Sequence, residues 1–276
     1  MTLVLALLAG ALIGLSLGAL GGGGSILAVP VLVYLLDQSP AQATTGSLVV
    51  VGVTSLVAAV TAHRAGRALV ARGVVFGLVA TGGAVAGAKA AAHVDEDVLL
   101  AAFAALMLLV GGLMATRQLR HRRGTGPAEP DAPAPQLDDP IITFRPTFAC
   151  ACPRALKVLV TATVVGALTG FLGVGGGFLV VPALLLALAL PMDKAAGTSL
   201  VVITITSATA LAVRAGSGPA PDWTAVLALT GASAATAVLG ARLAGRIGTR
   251  RLQTGFTVLV LLVALYTATR AVLALT

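Results

Sequence analysis

The sequence predicts an all-α polytopic membrane protein that is built from two inverted repeats. The first observation is composition: 58% of the 276 residues are hydrophobic and only 10% are charged, with a mean hydropathy of +1.01. A soluble domain of this length cannot bury so much apolar surface. The second is that the two halves of the chain resemble each other. The third is that most of the cationic residues are gathered in a few strongly positive stretches, a pattern that fixes the orientation of membrane helices.

Eight apolar runs predict the membrane segments, and most are close to the roughly 20 residues that span a bilayer. The first and fifth runs are much longer. Residues 2–36 as one straight helix would measure about 52 Å, against a hydrocarbon core of about 30 Å. We therefore expect each half to begin with a Gly-broken helix or a re-entrant hairpin and to continue with three transmembrane helices, giving eight to ten membrane segments. The runs are 2–36, 43–62, 73–92, 98–116, 155–190, 195–213, 223–245 and 252–275.

Two blocks of sequence near the start of each half indicate an internal duplication. "GALGGGGSILAVP" at 18–30 aligns without gaps to "GFLGVGGGFLVVP" at 170–182, an offset of 152 residues. The same offset aligns "SLVV" at 47–50 to "SLVV" at 199–202. Chance similarity between apolar segments can explain one such match, but it does not explain an ordered series.

The series continues through polar positions. Thr54-Ser55 pairs with Thr206-Ser207 at the same offset, and the matching segments farther along pair Lys89 with Arg242. We divide the chain into a first transmembrane repeat at 1–120, a flexible Pro- and Gly-rich linker at 121–153, and a second repeat at 154–276.

The charges decide whether the repeats are parallel or inverted, because positive loops face the cytoplasm. If each long run crossed once, the repeats would be parallel and the four arginines of 242–251 would face outward. If each long run returns to its own side, every positive stretch falls inside and the halves become inverted copies. We therefore expect a multi-pass protein of the cytoplasmic (inner) membrane with a cytoplasmic linker and both termini outside. The positive stretches are 63–72, 117–123 with 154–157, and 242–251.

The glycine clusters inside the two long runs predict a substrate site. Interrupted helices at mid-membrane are the common plan of secondary transporters. A helix that restarts after such a break points free N–H groups and the positive end of its dipole at the site. These features describe a binding site for an anion, whereas the alternative is that the glycines only allow close helix packing. The candidate residues are Gly21, Gly22, Gly23, Gly24, Ser25, Gly173, Gly175, Gly176 and Gly177.

Hydroxyl and cationic side chains near these clusters are further candidates. The hydroxyls sit in the helices that follow the breaks, although a hydroxyl in a membrane helix often bonds to its own i−4 carbonyl instead. Lys89 and Arg242 are candidates to attract an anion into opposite vestibules, whereas the alternative is that both snorkel to the interface. The hydroxyl candidates are Thr54, Ser55, Thr198, Ser199, Thr206 and Ser207.

Several other kinds of chemistry find no support. No apolar run contains a carboxylate for a proton relay, and "GGGGSIL" lacks the lysine of an ATP-binding loop. Cys150 and Cys152 have no partner pattern that would form a metal site. Neither a hydrolase constellation nor a basic stripe for nucleic acid is present. We therefore expect no enzyme activity, no cofactor, no metal and no nucleic-acid partner.

The duplicated blocks resemble a known family. "GFLGVGGGFLVVPALL", followed by "AAGTSLVVITITSATALAVRAG", and the first-half copy "LGALGGGGSILAVPVLV" are similar to the sulfite exporter TauE/SafE family of membrane transporters. The resemblance runs over nearly the whole chain outside the linker. It implies transport of sulfur-containing anions such as sulfite or organosulfonates.

The sequence thus predicts a secondary transporter or facilitator that moves a small, sulfur-containing anion across the cytoplasmic membrane. The anion would be held at mid-membrane between the N-termini of half-helices. Its predicted partners are this anion and the lipid bilayer, and the sequence leaves a homodimer open. The alternative function is a non-transporting membrane scaffold or assembly component that uses its small-residue faces.

Overall fold

The computed structural model describes most of the two predicted repeats. In these parts of the chain the regular structure is helical, without strands. The predicted linker up to residue 151 and the cluster at 173–176 lie outside the described residues. The described ranges are 2–91, 93–94, 152–172, 177–187, 190–214 and 220–244, with scattered positions in 98–116 and 254–265.

The helices fall into two groups of four with the same order of lengths. Within the described ranges they are α1 Thr2–Leu20, α2 Gly23–Pro30, α3 Pro40–Arg64, α4 Val70–Ala91, α5 Cys152–Leu172, α6 Gly177–Ala187, α7 Met192–Arg214 and α8 Trp223–Ala244.

The first long apolar run is broken at its glycines. Gly21 ends α1 through a hydrogen bond from its N–H to the Leu17 oxygen, 2.9 Å. Its φ of +72° is in the left-handed region, which glycine adopts without the steric cost of a Cβ. The short helix α2 then starts in a new direction and continues beyond Pro30 as a π-helical segment, Val31–Leu35. A proline inside a helix cannot donate the usual i−4 bond, and the wider turn follows it directly.

The start of α3 is fixed by local sequence. The Ser39 side chain accepts a hydrogen bond from the Gln42 N–H, the Gln42 side chain accepts one from the Ser39 N–H, and Pro40 occupies the first helical turn. This reciprocal cap is a strong helix-start signal. The long helix α3 therefore begins at a defined residue next to the π-helical segment.

The first helix of each group packs against the fourth helix of the other group. Glycines of α1 lie against the backbone of α8, and glycines of α5 lie against the backbone of α4, with no room for a side chain. Both pairs run parallel, because the residue numbers rise together along each seam. The contacts are Gly14 with Ser233, Gly18 with Ala237, Gly166 with Ala80, and Gly170 with Ala84.

The third helices of the two groups, α3 and α7, run in opposite directions. Arg214 at the end of α7 donates to Thr44 Oγ1 near the start of α3, 3.0 Å. At the other end, Gly197 near the start of α7 lies against the Arg67 carbonyl just after α3. In between, Gly52 of α3 faces Ser207 of α7. The two sequence-equivalent helices therefore cross antiparallel near the middle of each.

Four described helices are long and apolar enough to cross a membrane: Pro40–Arg64, Val70–Ala91, Asp193–Arg214 and Trp223–Leu243. Large apolar side chains on the outside of the bundle, such as Leu8 (65% exposed) and Leu78 (62% exposed), suit contact with lipid rather than water. The prediction of an all-α protein with several membrane segments is confirmed to this extent.

Candidate functional site

The first helix break meets the start of α6 inside the bundle. A methyl group on Gly22 would collide with the carbonyl oxygen of Gly177, and one on Gly177 would lie 2.6 Å from Ser25 Oγ and 3.0 Å from Gly22 Cα. Ser25 and Gly177 are equivalent residues at the offset of 152, and both lie in the first turn of their helices, α2 and α6. Two helix N-termini therefore come together, each with the partial positive charge of its helix dipole.

Within the first glycine cluster the residues have different surroundings. Gly23 is buried in the first turn of α2. Gly24 packs α2 onto α1, where a methyl group would collide with the Ile13 carbonyl. Ser25 donates both its hydroxyl (2.7 Å) and its N–H (3.2 Å) to the Gly22 oxygen. Gly21 and Gly22 lie between α1 and α2 and form the break itself. The cluster therefore contains residues that pack helices together and residues that form the break.

The first break rests on the first turns of α7. Ser199 Oγ lies 2.5 Å from the Gly21 oxygen and 2.8 Å from the Ala196 oxygen, and the missing Cβ of Gly21 faces the Ala196 backbone. One residue earlier, Thr198 Oγ1 accepts a hydrogen bond from the Leu69 N–H, 3.0 Å. Ser199 therefore holds the break to α7, and Thr198 holds the loop between α3 and α4 to the same helix.

The threonines of the two Thr-Ser pairs are both hydrogen-bonded. Thr54 Oγ1 lies 2.8 Å from Ser233 Oγ of α8. Because the Ser233 hydroxyl donates to the Thr230 oxygen, 3.1 Å, Thr54 is the donor in this pair. Thr206 instead bonds back to the Val202 carbonyl of its own helix, 3.0 Å.

Within the part of the chain that the structure describes, the serines of the same pairs have no hydrogen-bond partner. Ser55 and Ser207 are 0% and 1% exposed, and their hydroxyl oxygens are buried without a partner. Ser207 faces α3 where the helices cross, since a methyl group on Gly52 would lie 3.3 Å from its Cβ. A buried hydroxyl without a hydrogen bond costs about 1–3 kcal/mol. Two of them at equivalent positions require an explanation, and a polar ligand at the crossing would provide one.

The hydroxyls and the breaks occupy neighbouring levels of the bundle. Ser199, which contacts the first break, precedes Ser207 by eight residues, or about 12 Å along α7. At this spacing the two side chains share one face of the helix. Between them on this side of α7 lie the buried apolar residues Val202 and Ile203, so the first break and the unpartnered hydroxyl at the crossing are two separate polar positions.

Arg214 is a half-buried cation that the sequence pattern did not single out. Its Nη1 donates to Thr44 Oγ1, 3.0 Å, and its Nη2 donates to the carbonyl oxygens of Gly170 at 3.0 Å and Phe171 at 3.4 Å. These carbonyls belong to the last turn of α5, where a cation is favoured by the helix dipole. The signal in the sequence was a single arginine at the end of an apolar run whose first-half equivalent is Ala62.

The remaining candidates lie apart from this group or outside the described residues. Lys89 and Arg242 are exposed in the last turns of α4 and α8. Gly173, Gly175 and Gly176 lie outside the described residues. Among the described residues, no three side chains of His, Cys, Asp or Glu are grouped so that they could hold a metal ion.

Comparison with known proteins identifies the family. The family model "Sulfite exporter TauE/SafE" matches residues 6–267. Two proteins named "Probable membrane transporter protein", from Xylella fastidiosa strains 9a5c and Temecula1, are each 35% identical over 203 residues, which is 73% of this chain and 70% of the relative. No solved structure matches the chain. The chain, a multi-pass membrane protein with duplicated glycine clusters, belongs to the sulfite exporter TauE/SafE family of transporters.

Proposed function

We propose that the protein is a secondary transporter or facilitator that moves small sulfur-containing anions, sulfite or organosulfonates, across the cytoplasmic membrane. Membership of the family and the names of the relatives support a membrane transporter. The choice of an anion is supported by the donors at the breaks and at the helix crossing. The proposed substrate class, small sulfur-containing anions, is taken from the description of the family, which names sulfite.

The transport path runs between two inverted repeats. The opposite directions of the equivalent helices α3 and α7 support this arrangement, because a two-fold axis in the membrane plane reverses every helix that it relates. The reciprocal seams, α1 on α8 and α5 on α4, are what such an axis generates. With the positive stretches on the cytoplasmic side, the loop at 65–69 faces the cytoplasm and both termini face outward.

The observation that carries the proposal is the pair of buried, unpartnered hydroxyls, Ser55 and Ser207. Each can donate one hydrogen bond to an oxyanion at the crossing of α3 and α7. The N-termini of α2 and α6 add the positive potential of their helix dipoles. In the eight described helices the one carboxylate is Asp193, which is exposed at the start of α7, so no buried acid opposes an anion.

The contact between Gly22 and Gly177 is the closed form of the path. When Gly22 moves away from Gly177, a space opens between the N-termini of α2 and α6. The anion then enters, and the hydroxyls at the crossing replace part of its hydration. Movement of one repeat against the other would release the anion on the opposite side, as alternating access requires.

Flux in proteoliposomes tests the proposal. We expect the wild-type protein to move sulfite and a small sulfonate faster than a carboxylate of the same charge. Gly22→Ala should lower the flux at least tenfold, because its methyl group collides with Gly177. The matched control is Gly231→Ala, at a helical glycine that has open space around it, and it should keep the wild-type flux.

The same preparation distinguishes the alternative of a non-transporting scaffold. An anion that binds only the folded state raises the melting temperature, and the rise grows with the ratio of its free concentration to its Kd. A scaffold would show neither this shift nor any flux above protein-free liposomes. Wild-type flux in Gly22→Ala would show that the breaks do not line the path.

A further inference from the structure

Helices α3 and α8 enclose a groove on the outside of the bundle, with a volume of about 600 Å³. Its walls are apolar and include Leu56, Val60 and Val238. Leu56 is 52% and Val60 is 45% exposed, so the groove opens toward the surroundings of the bundle. Two arginines, Arg64 and Arg242, line the same groove.

Both arginines lie at one end of the groove. Arg64 is the last residue of α3, and Arg242 lies in the last turn of α8. Because α3 and α8 run parallel, their last turns are on the same side of the bundle. The groove therefore has two guanidinium groups at its end and hydrocarbon along its length. This chemistry matches an amphiphile with an anionic headgroup and an acyl chain.

The corresponding place in the other repeat lacks these features. At the offset of 152, Leu56 corresponds to Ala208, Val60 to Ala212, and Arg64 to Gly216. The walls are smaller there and one of the two arginines has no counterpart. The residues that give this groove its character are therefore not repeated at the equivalent positions of the second half.

We propose that this groove, between Arg64 and Arg242 at one end and Leu56 and Val60 along its wall, binds one anionic glycerophospholipid. The phosphate lies between the two guanidinium groups, and one acyl chain lies along α3 and α8. In the proposed orientation the headgroup is in the cytoplasmic leaflet, where basic pockets between membrane helices bind such headgroups. The contact itself does not depend on the transported substrate.

Lipid binding to the delipidated full-length protein, measured by native mass spectrometry and by thermal unfolding, tests the site without any transport assay. Phosphatidylglycerol should bind as one tightly held molecule per chain and should raise the melting temperature, whereas phosphatidylcholine should not. The double variant Arg64→Gln/Arg242→Gln should weaken binding of phosphatidylglycerol at least tenfold. Lys89→Gln is the matched control, because it removes the exposed cation that corresponds to Arg242, and it should bind like the wild type.

A second variant tests the acyl-chain part of the groove. Val60→Trp fills the groove from an exposed position and should also weaken binding at least tenfold. Unchanged binding of phosphatidylglycerol in the double arginine variant would overturn the proposal. So would equal retention of soluble glycerol 3-phosphate, which would indicate a phosphate site without a lipid. Conversion of a dimer to a monomer by the arginine variants, with unchanged lipid binding, would assign the groove to a second copy of the chain.

Discussion

The two Thr-Ser pairs have the same sequence and occupy equivalent helices, but their threonines differ. Thr54 donates to Ser233 of a neighbouring helix, whereas Thr206 bonds to a carbonyl of its own helix. The residue of α4 that corresponds to Ser233 is Ala80, which offers no hydroxyl. The hydrogen bond that each threonine makes therefore depends on whether the neighbouring helix offers a hydroxyl.

The adjacent serines show no such difference. Ser55 and Ser207 are both buried, and both lack a hydrogen-bond partner. Neighbouring residues on a helix point about 100° apart, so the threonine and the serine of one pair face different helices. The comparison separates two roles within one dipeptide: the threonines contribute to packing, and we propose that the serines contact the anion.

The largest expected effect comes from removing both serine hydroxyls. Ser55→Ala/Ser207→Ala should lower sulfite flux in proteoliposomes at least tenfold, because the anion loses two donors at the crossing. The free energy of unfolding should stay the same or rise by up to about 1 kcal/mol, since no hydrogen bond is lost and two unpaired hydroxyls are removed.

Thr209→Val is the control for this variant, because the Thr209 hydroxyl bonds only to the Ile205 carbonyl of its own helix, 3.0 Å. It should keep the wild-type flux. If the double serine variant transported at the wild-type rate, the unpaired hydroxyls would not belong to the substrate path.

A smaller effect, on stability rather than flux, is expected at Thr54. Thr54→Val removes the hydrogen bond between α3 and α8 and should lower the free energy of unfolding by about 1 kcal/mol, the order found for interhelical bonds in membranes. Denaturation of the purified protein measures the change. In a double-mutant cycle with Ser233→Ala, the coupling energy should account for most of that loss. A coupling of zero would show that the pair does not stabilise the fold.

The smallest effect is expected at Thr206. Thr206→Val replaces a hydroxyl that bonds within its own helix, so the free energy of unfolding should change by less than about 0.5 kcal/mol. Flux should stay within twofold of the wild type. A loss of flux similar to that of the serine variant would remove the distinction between the threonine and serine positions.

Much of the fold followed from the sequence because its signals are local and repeated. Apolar runs of about 20 residues indicate membrane segments, and the overlong first run predicted the break at Gly21. The capping residues Ser39 and Gln42 fix the start of α3 through neighbours along the chain. The glycine blocks also predicted the family, since their order and spacing are repeated in both halves.

The surroundings of individual candidates could not be predicted in this way. Gly22 and Gly24 are the same residue type and lie only two positions apart, but Gly22 contacts Gly177 and Gly24 packs against Ile13. No periodicity distinguishes them, because the difference lies in which distant backbone approaches each residue. Arg214 was missed for the same reason: its partners on α3 and α5 are 43 residues or more away in sequence.

The sequence by itself determined that this chain is a duplicated, helical membrane protein with a glycine break in its first helix. These properties depend on hydropathy, spacing and the conformational freedom of glycine, all of which are set by the residues themselves. Only the tertiary structure decided that Gly22 meets Gly177, that Thr54 bonds to Ser233, and that the two serines stay unpartnered. Hydrogen bonds and close packing depend on distances across the fold, and the linear sequence does not contain those distances.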